Sequence, residues 1–208
     1  MNPTCKRLSP LMLMLSPLTN AQERIPSPTN DFVPAAWIVQ APERGSKIIS
    51  VRIDGMAAHA DETSIAILHV ACYRSPLRPV ISLSTHTDEL RFNSSFYEGP
   101  SARSSGPLSL TTGALPAHTY RVNGHYSADS PQPQGALFKF TMPANRRELR
   151  EWISDEMAGR PIKIKLPSGV RGGTPLTAVF LLPHNNGGLR EIISPCLNTR
   201  KPKPKKPS

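Results

Sequence analysis

Apolar and polar residues alternate with a period of two through most of the chain's middle, which predicts strands rather than helices. Residues 37–39 (Trp37, Ile38, Val39) read as a short strand, and residues 48–53 place Ile49, Val51 and Ile53 on one side of a longer one. Residues 64–73 form the most apolar stretch, with Ile65, Ile67, Leu68, Val70 and Cys72, and read as a central strand. A short connection holding Pro76 and Pro79 leads to residues 80–85, so the two runs form an antiparallel hairpin with Cys72 on its inward face. Strand character returns at 136–142, 162–166 and 176–182, the second with Lys163 and Lys165 on its wet side.

Turn chemistry punctuates these runs. Residues 55–62 read as a turn region, and 93–117, rich in Ser, Gly and Pro, as the least ordered internal segment. Within the latter, 108–110 predicts a short edge strand. Asn123-Gly124, following the strand-like run 119–122, is the strongest two-residue turn signal in the chain. Two helices interrupt the pattern. Asn145 caps the first, with Glu148 placed to reach back to the cap; Leu149, Trp152, Ile153 and Met157 share one face, and Gly159 and Pro161 stop it. The second, 188–195, presents Leu189, Ile192 and Ile193 just before Cys196. The sum is a mainly β fold with two short helices (α+β), an antiparallel sandwich or curved sheet.

The ends carry a different composition. Lys6 and Arg7 precede an apolar run at 8–18, and Thr19-Asn20-Ala21 offers small residues for signal peptidase, so residues 1–21 read as a signal peptide cleaved near Ala21. The run is far short of the roughly 20 apolar residues of a membrane span. Residues 22–36 read as a Pro-rich linker, 37–197 as one β-rich domain, and 198–208 as a disordered basic Lys/Pro tail. Of three cysteines, cleavage removes Cys5 and leaves Cys72 and Cys196, an even count that suits a disulfide in an oxidising compartment. Two buried free thiols are the alternative. The implied location is periplasmic or secreted.

Charge changes the picture less than its total implies. The formal net charge is +10, from 25 basic and 15 acidic residues. Setting aside Lys6, Arg7 and the tail's Arg200, Lys201, Lys203, Lys205 and Lys206 leaves 18 basic against 15 acidic, a balance of +3. The domain is nearly neutral, and the tail either serves only as a solubilising end or attracts anionic lipid, lipopolysaccharide or, as a third reading of the chain, nucleic acid through counterion release. With aromatic residues at 6%, a stacking platform for single-stranded nucleic acid is not expected, and no specific nucleic-acid partner is assigned.

No segment specifies a chemistry. His59, Asp61 and Glu62 form the one local cluster of metal-ligand types, without a second histidine at zinc-site spacing, so neither metal nor cofactor is assigned. No Gly-x-Ser-x-Gly elbow exists, and pairs drawn from Asp54, Asp61, Glu62, Asp88 and Glu89 are unspecific, so no catalytic residue is named. Arg121, inside a strand-like run, marks either a sheet ion pair or, together with Tyr120 and the loop after Asn93, a partner-contact surface.

Several pieces resemble, in order, the VasI/TagO-type periplasmic accessory proteins of bacterial type VI secretion. They are Trp37-Ile38-Val39, the strand 67–72 ending in Cys72, the alternating strand 80–85, and Thr119-Tyr120-Arg121-Val122-Asn123. The closing pair, 175–180 followed by 188–196 up to Cys196, matches best. Asn123 stands where that family has an acid, and the 93–117 loop and basic tail depart from its pattern. The resemblance implies a non-enzymatic periplasmic protein that contacts secretion machinery or envelope components. The alternative from another class is a secreted enzyme or effector acting on cell-envelope polymers, with His59, Asp61 or Glu62 in its site.

Overall fold

A computed structural model describes residues 36–40, 48–74, 77–98, 107–127 and 136–198. The signal-like segment, Cys5, most of the linker and the five tail cations lie outside the described residues. In chain order the strands are β1 (Ile38–Gln40), β2 (Ile48–His59), β3 (Glu62–Arg74), β4 (Leu77–Thr85), β5 (Pro107–Thr112), β6 (His118–Arg121), β7 (Asn123–Tyr126), β8 (Phe138–Pro143), β9 (Pro161–Leu166) and β10 (Leu176–Leu181). The helices are α1 (Arg146–Trp152) and α2 (Gly187–Leu197).

All ten strands belong to one antiparallel sheet with the order β6-β5-β9-β10-β2-β3-β4-β8-β7, and β1 pairs with β2 beside it. The first and last strands of that order, β6 and β7, are separated in the chain only by Val122. One run therefore pairs with β5 through its first half and with β8 through its second, and the sheet nearly closes on itself. Near-closure removes most of the exposed strand edge that would otherwise invite pairing with other chains.

Alternation decides which side chains fill the interior. Val51, Ile53 and Ala57 of β2 face inward with Ala66, Leu68 and Val70 of β3, all fully buried, while Asp54, Met56 and Ile65 face out. Opposite residues of paired strands share a face, so the registers Val51↔Val70↔Ile81 and Ile53↔Leu68↔Leu83 carry this core across three strands. Phe138 and Phe140 of β8 and Tyr97 extend it as an aromatic cluster, with Tyr97 and Phe140 edge to face at 5.3 Å.

Four local expectations are corrected. Residues 55–62 do not turn as a block: β2 runs on to His59, and the reversal is confined to Ala60 and Asp61. Gly55 is a close-approach site, since a Cβ there would come within 2.4 Å of both the Phe180 ring and the Val179 carbonyl. Asn123-Gly124 lies inside β7 for the same reason, because a Cβ on Gly124 would fall 2.2 Å from the Phe138 ring. β5, expected at an edge, is flanked by both β6 and β9. Helix α1 ends at Trp152, and Met157 belongs to a separate 3₁₀ turn.

Helix α2 extends beyond the expected span to take in Cys196, with Pro195 in its last turn. Its buried face (Leu189, Ile192, Ile193, Cys196) packs on β2, β3 and β4, and Cys196 is joined to Cys72 near the end of β3 with Cα atoms 5.9 Å apart. A buried hydrogen bond from the Trp37 indole N–H to Asn186 Oδ1, 3.0 Å, ties the start of the domain to the start of this helix.

Candidate interaction surface

Strand alternation separates the two residues expected to share a contact. Tyr120 faces inward and its hydroxyl donates to the Glu148 carboxylate on α1. Glu148, read from the sequence as the reaching-back half of a capping box, is 2% exposed and turned to Tyr120 instead. Asn145 still accepts from the Arg147 N–H at 2.9 Å and caps the helix alone. Burial raises the Glu148 carboxyl above the usual carboxylate range, opposed by the Tyr120 hydrogen bond and by His118, whose Nδ1 is 3.7 Å away. Burial and the Glu148 partnership push the Tyr120 hydroxyl well above an ordinary tyrosine. This cluster latches α1 to β6 from the inside.

Arg121, one residue on, points outward into a groove of about 380 Å³ with Arg78 on the opposite wall. Val80, Val122, Asn123, Thr141, Met142 and Pro143 complete the lining. The groove sits where closure of the sheet is incomplete. β7 pairs with β8 only through residues 138–141, and Met142 and Pro143 pair with β4 on their other side. Arg78 stacks over the Tyr73 ring at 5.9 Å, which holds its guanidinium at the rim. Among the described residues, neither Arg78 nor Arg121 is paired with a carboxylate.

The outward face beside the groove continues this character. One register row crosses five strands as Arg52↔His69↔Ser82↔Thr141↔Asn123, and the next reads Asp54↔Ile67↔Ser84↔Lys139↔His125. Asp54 is the one acid at the described outward positions of β2, β3, β4, β8 and β7. Burial first, then the charges of Lys139 and Arg52, holds the His69 imidazole down at about 4, so it is neutral at pH 7.

The other candidates are placed elsewhere. His59 Nδ1 donates to the Leu90 carbonyl at 2.8 Å and its ring meets Phe92 edge-on, while Glu62 faces Arg91 at 3.4 Å. These contacts pin the 86–92 segment against the β2–β3 turn. Asp61 is exposed in that turn. Among the described residues no group of three or more His, Cys, Asp or Glu side chains is arranged to hold a metal ion. No helix of the described residues is long and apolar enough to cross a membrane. Sequence reasoning missed Arg78, Arg52 and His69. Arg78 lies between Leu77 and Pro79 in what reads as a connection, and only the β3–β4 register, Tyr73↔Arg78, brings it to the sheet face.

Comparison of the chain with protein-family models, curated proteins and solved structures finds no match.

Proposed function

We propose that the chain is an exported, non-enzymatic interaction protein of the bacterial envelope, working by surface contact as an accessory of a type VI secretion apparatus. The observation that carries this reading is the Cys72–Cys196 disulfide, which joins β3 to α2 across 124 positions. Such a bond forms and persists in oxidising compartments and is rare in a reducing cytosol. The groove beside Arg121 supplies the contact surface, with guanidinium groups that no carboxylate of the described residues engages. The tail cations add electrostatic attraction to anionic envelope material. The secretion assignment rests on the ordered resemblance of 37–39, 67–72, 119–123 and 175–196 to the periplasmic accessory proteins.

The test is fractionation of a tagged chain with and without residues 1–21. Export of the full chain, with both thiols resistant to alkylation until reduction, is the expected result. Cytoplasmic retention of both forms with freely alkylated Cys72 and Cys196 overturns the reading.

A further inference from the structure

We infer that the seam groove between Arg78 and Arg121 binds an acidic, extended segment of a partner protein, two of whose carboxylates are clamped by the two guanidinium groups. This inference rests on the reading of the chain as a contact protein and adds to it the chemistry of the partner.

Charge complementarity identifies the occupant. Arg78 and Arg121 stand on opposite walls, one from β4 and one from β6. The adjoining sheet face supplies Arg52 and Lys139, with Asp54 as its one acid among the described positions. A guanidinium presents a planar fork of donors that matches a carboxylate bidentately, which makes a pair of arginines selective for carboxylate-bearing side chains.

The shape of the site favours a peptide over a headgroup. The floor is mixed: buried Val80, Val122 and Met142 lie beside Thr141 and Asn123. An apolar side chain between two acidic ones would rest on that floor while its neighbours reach the rim, as alternate residues of an extended segment do. The groove also runs along the stretch of β8 at Met142 and Pro143 that β7 leaves unpaired. The same two cations act on His69, whose imidazole is held neutral first by burial and then by Lys139 and Arg52. A carboxylate brought onto this face would relieve that uncompensated positive charge.

The probe is an acetylated, fluorescein-labelled octapeptide of alternating glutamate and valine, titrated by anisotropy against the full disulfide-bonded chain at physiological salt. Binding is expected, with no binding of the lysine–valine counterpart. The double variant R78E/R121E should weaken binding by about tenfold or more. Both side chains are exposed, and an unchanged melting curve, or the milder pair R78Q/R121Q, guards against misfolding. Replacing Arg200, Lys201, Lys203, Lys205 and Lys206 by serine should leave most of the affinity. Equal binding by wild type and R78E/R121E overturns the inference, as does loss of binding on changing the tail alone. Phosphatidylglycerol vesicles that displace the peptide and depend on the same two arginines would also overturn it, in favour of a membrane surface. Export without peptide binding removes this inference alone, whereas peptide binding by a chain retained in the cytoplasm removes only the envelope reading.

Discussion

Two regions of the sheet reach closure by different means. Around β3 the backbone does the work: the strand pairs with β2 along residues 62–73 and with β4 along 66–74. The Cys72–Cys196 bond then fixes α2 over the end of that ladder. At the seam, β6 and β7 each pair through only four residues. There the closure depends on side chains, with Tyr120 bonded to Glu148 within and Arg121 left to solvent without. A continuous ladder consumes its backbone donors and acceptors and leaves no opening. A seam held by a few side chains leaves a groove, and Arg78 and Arg121 line it.

The largest test of this contrast is removal of the staple. Replacing Cys72 and Cys196 together by alanine should cost roughly 2–5 kcal/mol of unfolding free energy, about 5 being the chain-entropy ceiling for so long a loop. Urea melts of oxidised wild type against the double variant measure it, and a cost near zero would place the stability of this region in the ladder alone.

Acidification probes the β3 face. The folded His69 titrates near 4 against 6.5 unfolded, so the unfolded chain takes up the proton first. Stability attributable to this group is complete above pH 6.5 and falls as pH drops towards 4, by roughly 3 kcal/mol in all. Glu148 works in the opposite sense, because its raised carboxyl favours the fold as pH falls. The difference between wild type and His69→Gln, followed by urea midpoint from pH 7 to 4.5, isolates the histidine. Parallel curves would refute the assignment.

The two close-approach glycines compare the regions directly. Gly55→Ala meets a backbone carbonyl and the Phe180 ring, both at 2.4 Å, and should cost about 3 kcal/mol; Gly124→Ala meets the buried Phe138 ring at 2.2 Å but a backbone carbonyl only at 3.1 Å, and should cost about 2 kcal/mol. Thermal melts of both variants rank them, and the reverse order would mean that the seam is the more rigid part. Tyr120→Phe removes the inner latch and leaves the buried Glu148 carboxylate short of a donor, at roughly 1–2 kcal/mol. Least of all, Arg147→Ala breaks an exposed i,i+4 pair with Glu151, 3.4 Å apart, for about 0.3 kcal/mol.

Much of the secondary structure is legible in the sequence, because β3, β8, β9, β10 and both helices write their periodicity into consecutive residues. The site was half legible. Arg121 stood out as a charge within a strand, but Tyr120 beside it carries an internal role, and Arg78 was hidden between apolar Leu77 and Pro79. Glu148 illustrates the limit: its position in the first turn of α1 satisfies a local capping rule, yet a tyrosine 28 residues earlier claims the carboxylate.

Local alternation and the helix cap at Asn145 were properties of the sequence by itself, since each depends on neighbours within a few residues. The passage of Gly55 and Gly124 through strands, the interior place of β5 and the pairing of Arg78 with Arg121 across a groove were decided only by the tertiary structure. Those features depend on which aromatic ring or strand arrives from far along the chain, and a turn-forming dipeptide reads the same whether or not Phe138 lies over it.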